Sequence, residues 1–104
     1  MFEHIEPEEL HALRAQTNVV LVDVRTDPEV ARGMIAGARH IPLFALAQRA
    51  SELEQEATII VYCQSGGRSA QACMYLAREG YTHLYNLSGG ILGWMRAGLE
   101  VTQG

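Results

Sequence analysis

The chain has 104 residues, of which 48% are hydrophobic, and its formal net charge at pH 7 is −4. These values predict one globular domain, residues 1–104. The arginines are scattered along the sequence and form no basic patch that would bind nucleic acid or an acidic membrane surface. No apolar run reaches the ~20 residues of a membrane span, and the first residues are acidic and unlike a signal peptide. Two cysteines do not form a disulfide scaffold, so we expect a cytoplasmic protein.

The first third of the chain predicts two strands, each followed by a helix. A short strand at residues 4–5 precedes a helix expected over residues 7–15, which begins with a proline and two glutamates. Residues 19–24 are apolar except for one aspartate, a pattern typical of a central parallel strand covered on both faces. Asp27, Pro28 and Glu29 then predict the start of a short helix, with Asp27 as its cap and its end near Gly33.

The remaining elements continue the alternation. Residues 37–42 predict a turn and a brief extended piece, and residues 43–53 predict a helix. The apolar side of that helix is expected to contain Leu43, Leu46, Ala47, Ala50 and Leu53. Further strands are predicted at residues 58–62 and 83–87, and a short last helix at residues 91–97. Strands alternating with helices indicate an α/β fold with a mainly parallel sheet.

Cys63 occupies the most informative position in the sequence, directly after a buried strand and shortly before a helix expected over residues 69–80. Ligands of parallel sheets bind beyond the carboxyl ends of strands, and unpaired amides at a helix start attract anions. Gly66 and Gly67 allow the loop to curl so that its amides converge. A thiolate placed there has a lowered pKa, so Cys63 is the predicted nucleophile. Cys73 lies in mid-helix and is expected to be a buried small hydrophobic residue.

The spacing between Cys63 and Arg68 separates two chemistries. Tyrosine-type phosphatases and related arsenate reductases have five residues between the cysteine and the arginine, and the amides of that loop surround a phosphate. Here four residues intervene, namely Gln64, Ser65, Gly66 and Gly67. A smaller ring of donors suits a smaller target, such as a terminal sulfur on the cysteine. The spacing therefore favours sulfur transfer, and phosphatase or arsenate reductase activity remains an alternative.

The chain resembles the single-domain rhodanese family through four motifs in order. Residues 63–69 match the family loop of cysteine, two variable residues, glycine, one variable residue, arginine and serine. Residues 23–25 match its Asp-Val-Arg, and residues 87–94 match its Leu-x-Gly-Gly-x-x-x-Trp. The segment between the first motif and the loop agrees at Glu29, Gly33, Ile35, Gly37, Ala38, Ile41 and Pro42. Met34 replaces the usual histidine, a change expected to affect packing more than chemistry.

This resemblance implies a three-layer α/β/α fold with a mainly parallel five-stranded sheet, and thiosulfate:cyanide-type sulfurtransferase activity. A sulfane sulfur would pass from thiosulfate or a similar donor to Cys63, forming a persulfide, and then to cyanide or a thiol acceptor, with a thioredoxin-like protein as one expected partner. No metal or organic cofactor is required. The residues expected to bind substrate are Gln64, Ser65, Gly66, Gly67, Arg68 and Ser69. A non-enzymatic sulfur carrier or regulatory module needs the same cysteine and is the second alternative.

Two roles around the loop stay open at this stage. Arg68 can bind a donor anion, or it can brace the loop by pairing with Glu29 or Asp23. Ser69 can cap the following helix or donate to the sulfur, and capping is the expected role. Asp23 and Arg25 are expected to be structural, and the neutral Gln64–Ser65 pair leaves the identity of the donor open.

Overall fold

The central layer of the computed structural model, which describes residues 1–103, is a sheet of five parallel strands. Their bounds are β1 Glu3–Ile5, β2 Val19–Asp23, β3 Arg39–His40, β4 Thr58–Tyr62 and β5 Leu84–Leu87. The strand order is β1-β5-β4-β2-β3, and every neighbouring pair is parallel. Strand β4 therefore occupies the middle of the sheet, and the loop that follows it leaves from the centre of the carboxyl edge.

Helices pack on both faces of this sheet. Their bounds are α1 Pro7–Leu13, α2 Asp27–Ala31, α3 Leu46–Arg49, α4 Gly67–Arg78 and α5 Gly90–Arg96. Helices α1 and α5 contribute Leu10, Ile91 and Trp94 to one buried cluster, whereas α3 and α4 contribute to a second cluster on the opposite face. The predicted α/β/α fold with a five-stranded parallel sheet is confirmed. Among residues 1–103, none of the helices has both the length and the hydrophobicity that crossing a bilayer requires.

The central position of β4 in the sheet explains why its sequence is an apolar run. Its side chains alternate between the two clusters, with Ile60 and Tyr62 on the face of α1 and α5, and Ile59 and Val61 on the other face. All four are completely buried, as expected for a central strand covered on both sides. Cys63 continues the alternation and faces the cluster that contains α4.

The helix predicted over residues 43–53 is wrong in detail. The segment consists of a 3₁₀ turn at Leu43–Ala45, the four-residue helix α3 and a second 3₁₀ turn at Ala50–Glu52. Its ends are tied by tertiary hydrogen bonds, because the Leu43 amide donates to Val24 and the Tyr81 hydroxyl donates to the carbonyls at Ala50 and Leu53. These anchors favour the tighter 3₁₀ turns over a continuous helix. Ala47, expected on the apolar side, is exposed.

The starts and ends of two helices also differ from the prediction. Thr26, not Asp27, caps α2, and Asp27 is the first helical residue. The Glu29 carboxylate accepts hydrogen bonds from the amide and the hydroxyl of Thr26, each at 3.0 Å, so residue 26 is the extended residue before the helix. Helix α1 ends at Leu13, two residues earlier than expected.

Candidate active site

Cys63 is the first residue after β4, and only three residues separate it from helix α4. The expected helix start at Ser69 is wrong, because α4 begins at Gly67 and its N-cap is Gly66. Gly66 has φ of +124°, a conformation that a residue with a side chain rarely adopts, and this allows the chain to turn sharply into the helix. The first turn of α4 therefore contains Gly67, Arg68 and Ser69, directly behind the sulfur.

Hydrogen-bond donors surround the Cys63 sulfur. The Gly66 amide nitrogen lies 3.1 Å from Sγ, and the Ser69 hydroxyl oxygen lies 3.4 Å from it. Burial alone would raise the pKa of Cys63, which has 1% of its surface exposed, but the Ser69 hydroxyl and the amides of Ser69, Gly66 and Ser65 outweigh burial and lower it. The thiolate is thus favoured although it is buried. Ser69 is a donor to the sulfur and not the helix cap that the sequence suggested.

Asn86 completes this cluster, and sequence reasoning missed it. Its Nδ2 lies 3.2 Å from the Gly66 carbonyl oxygen, and its Oδ1 lies 2.5 Å from Ser69 Oγ. Because a carbonyl can only accept, the amide must present its NH₂ group to Gly66 and its oxygen to Ser69. The single hydroxyl proton of Ser69 is then shared among Asn86 Oδ1, the Gly66 carbonyl oxygen at 3.2 Å and the sulfur. The available signal was one polar residue within a buried apolar strand, since Asn86 is 3% exposed in β5.

Arg68 braces the loop, which was one of the two roles left open. Its guanidinium makes two parallel hydrogen bonds to Glu29, at 2.7 and 2.8 Å, and Asp23 is not its partner. The Arg68 guanidinium, together with the donors of Thr26, holds the pKa of Glu29 at about 2. This ion pair ties the first turn of α4 to α2 and occupies both terminal nitrogens of the guanidinium.

A second ion pair lies deeper in the same region. Asp23 is fully buried and accepts hydrogen bonds from the backbone amide and the guanidinium of Arg25, the shortest at 2.8 Å. The same guanidinium donates to the Gly33 carbonyl at 2.7 Å. The Tyr62 hydroxyl accepts from the Ile35 amide at 3.0 Å, and burial beside Asp23 raises the pKa of Tyr62. These contacts hold residues 33–35 against the sheet, in agreement with a structural role for Asp23 and Arg25.

The second cysteine is no part of the site. Cys73 is fully buried in α4, its Sγ faces the Tyr85 carbonyl oxygen at 3.6 Å, and burial raises its pKa to about 12. A thiol with such a pKa is not a nucleophile near neutral pH.

Comparison with known proteins identifies the family. A model of the rhodanese-like domain matches residues 6–97. The chain belongs to the rhodanese-like domain family. A sulfurtransferase of Allochromatium vinosum is 43% identical over 102 residues, covering 97% of this chain and 95% of the relative. The thiosulfate sulfurtransferase GlpE of Pseudomonas fluorescens is 38% identical, covering 89% and 84%. The crystal structure of a rhodanese-related protein from Thermoplasma volcanium superimposes with a TM-score of 0.89 at 28% identity, covering 98% of this chain and 99% of that one.

In this member of the rhodanese-like domain family, the glycine pair of the last motif packs directly against the cysteine loop. Helix α5 begins against that loop, where the Ile91 amide donates to the Cys63 carbonyl at 2.9 Å and the Leu92 amide donates to the Gln64 carbonyl at 3.2 Å. Gly90 has φ of +60°, and a Cβ there would lie 2.6 Å from the Cys63 carbonyl oxygen. The two motifs of the rhodanese-like domain thus form one interlocked unit, and the expected tight turn also provides clearance for the loop.

The other rhodanese motif positions have plain geometric roles. Gln64 and Ser65 are exposed at the tip of the loop, and Gly67 is the first residue of α4. Their assignment to substrate binding stays a prediction. Met34, the departure from the usual motif, pairs through its backbone with Thr102 in an antiparallel bridge. The expected effect of the Met34 side chain on packing stays a prediction.

Proposed function

We propose that the protein transfers a sulfane sulfur through a persulfide on Cys63, with thiosulfate or a similar compound as the donor. The observation that carries the proposal is the Gly66 amide aimed at the Cys63 sulfur from 3.1 Å, in a loop at the start of α4. In the first half-reaction the Cys63 thiolate attacks the outer sulfur of the donor. A new sulfur–sulfur bond forms, the bond between the two donor sulfurs breaks, and sulfite leaves with the electron pair.

In the second half-reaction cyanide or a thiolate attacks the outer sulfur of the persulfide. The sulfur–sulfur bond to Cys63 breaks and the Cys63 thiolate leaves, so the enzyme returns to its starting state. Negative charge resides on the cysteine side chain in both resting states. The start of α4 stabilises such a charge by up to ~2 kcal/mol when it is partly buried, and the aimed loop amides add to this. The cycle needs no metal or organic cofactor.

Intact-mass measurement after incubation with thiosulfate tests this proposal. We expect the protein to gain the mass of one sulfur atom, and cyanide to remove it with formation of thiocyanate. Cys63→Ser abolishes both events. Cys73→Ser is the matched control, because Cys73 is buried and protonated near neutral pH, and it should retain them. The proposal fails if neither thiosulfate nor any other sulfane donor adds sulfur to Cys63.

Two measurements separate the alternative functions. A carrier would form the persulfide but pass its sulfur much faster to a reduced thioredoxin-like protein than to cyanide, and we propose such a protein as a physiological acceptor. A phosphatase would hydrolyse an aryl phosphate with dependence on Cys63. The four-residue spacing between Cys63 and Arg68, and the pairing of Arg68 with Glu29, argue against that activity.

A further inference from the structure

A cavity of about 240 Å³ opens beside the cysteine loop. Gln64, the loop residue next to Cys63, forms one wall, and residues of α5, the end of α2 and the C-terminal segment form the others. The volume is slightly below the ~300 Å³ at which sites for drug-sized ligands begin, so a small organic molecule fits. Because the α5 amides of Ile91 and Leu92 hold the loop carbonyls, this wall is fixed relative to the sulfur.

The charges around the cavity are almost fully matched. Arg25 lines it but pairs with the buried Asp23, and Glu29 lines it but is bound by Arg68. Arg32 is the exception, because it is exposed and no ion pair or hydrogen bond involves its side chain within the part of the chain that the structure describes. The cavity therefore offers one unmatched positive charge. One cation complements one negative charge and leaves the second charge of a dianion without a partner.

A second part of the cavity lining is apolar. It consists of Ile91 and Leu92 at the start of α5, Met95 one turn further along, and Val101 from the C-terminal segment. Met95 is 43% exposed, and Val101 is 37% exposed. Val101 is held in place because its neighbour Thr102 exchanges two backbone hydrogen bonds of 2.7 Å with Met34. Two large apolar side chains thus face solvent at the rim of a cavity whose lining includes Gln64, the residue next to the nucleophile.

We infer that this cavity selects an organic sulfane donor with a single negative charge, such as an aryl thiosulfonate, over inorganic thiosulfate. The organic body would lie against Met95 and Val101, and Arg32 would attract the anionic group. The inference rests on the proposed persulfide chemistry of Cys63. The Cys63 thiolate attacks the outer sulfur of the thiosulfonate, a sulfur–sulfur bond forms, the bond from that sulfur to the sulfonyl group breaks, and a sulfinate leaves with the electron pair. One negative charge enters and one leaves.

Thiocyanate formation with cyanide as acceptor tests the inference, with benzenethiosulfonate, methanethiosulfonate and thiosulfate as donors. We expect kcat/KM to be at least about tenfold higher for benzenethiosulfonate than for either other donor, since one or two apolar contacts change specificity by that factor or more. Met95→Gln should lower the ratio of kcat/KM for benzenethiosulfonate to that for thiosulfate by about fivefold to tenfold. Met74→Gln is the matched control, because Met74 on α4 is 44% exposed and lies away from the cavity.

Arg32→Gln should lower kcat/KM for benzenethiosulfonate by about threefold to tenfold at low salt, and the loss should shrink as salt screens the charge. Arg78→Gln, an exposed arginine at the end of α4, provides the control. The inference is overturned if thiosulfate is as good a donor as benzenethiosulfonate, or if Met95→Gln leaves the ratio unchanged. If no donor adds sulfur to Cys63, the proposed function itself fails, which intact mass shows independently of any ratio.

Discussion

Replacing Ser69 with alanine should raise the pKa of the Cys63 thiol, because it removes one of the donors that lower this pKa. The Ser69 hydroxyl lies 3.4 Å from the sulfur, and a hydrogen bond to a charged group contributes about 1.5–3 kcal/mol. The contact is long and Asn86 competes for the same proton from 2.5 Å, so the lower end of that range applies. About 1.5 kcal/mol corresponds to a roughly tenfold change in the equilibrium between thiol and thiolate, since a factor of ten equals about 1.36 kcal/mol. Below the pKa, the thiolate fraction of Ser69→Ala then falls about tenfold.

The pH dependence of alkylation by iodoacetamide measures this shift, because only the thiolate reacts. The wild type and Ser69→Ala should alkylate equally fast at high pH and diverge as the pH falls. Ser65→Ala is the control within the loop, since it keeps the amide that Ser65 contributes and should leave the profile in place. A lower pKa in Ser69→Ala would refute the reasoning. It would mean that the Ser69 hydroxyl donates only to Asn86 and stabilises the protonated thiol by accepting its S–H.

Two further predictions concern unfolding in urea. Glu29→Gln should cost about 1–2 kcal/mol at pH 7, between the values for exposed and buried ion pairs, because it breaks the bidentate contact with Arg68. The folded-state pKa of Glu29 is lowered from 4.5 to about 2, so the stability it adds is present above pH 4.5 and is lost toward pH 2, where variant and wild type should converge. Gly90→Ala should cost more than about 2 kcal/mol through its positive φ and its clash with the Gln64 carbonyl. Gly98→Ala, with φ of +84° and open space around it, should cost only about 1 kcal/mol, and equal losses would contradict the clash argument.

The sequence predicts the strands and their order of appearance well, because each buried strand is an apolar run bounded by turn residues. Residues 19–23 and 58–62 are strands in the structure, as two apolar runs predicted, although the first run contains one aspartate and was expected to extend to residue 24. The segment 43–53 was predicted less accurately. Its apolar spacing fits a helix, but the Tyr81 hydroxyl at the far end of α4 bonds two of its carbonyls and favours 3₁₀ turns. A contact between residues about thirty positions apart leaves no signal in local periodicity.

In the candidate site, too, the features set by local sequence were predicted and those set by tertiary packing were not. The position of Cys63 and the direction of the loop amides follow from local pattern, since a strand, two glycines and a helix start are neighbours in the sequence. The choice of Glu29 as the partner of Arg68 depends on how α2 packs beside α4, and both carboxylates considered were compatible with the sequence. Asn86 was missed because a polar residue in a strand has no partner until the fold places Ser69 and the Gly66 carbonyl beside it.

In the proposed persulfide cycle, the pairing of Arg25 and Arg68 affects how the products are released. Arg25 and Arg68 are both neutralised by carboxylates, so the charge on the Cys63 sulfur is balanced mainly by amide and hydroxyl dipoles. The thiolate and its persulfide carry the same single charge, displaced by one sulfur–sulfur bond, and converging dipoles can stabilise both positions. An unpaired guanidinium at position 68 would add a second free cation to that of Arg32 and would bind the departing sulfite or sulfinate more tightly. Unpairing Arg68 by Glu29→Gln should therefore slow product release, observed as stronger inhibition by added sulfite than in the wild type.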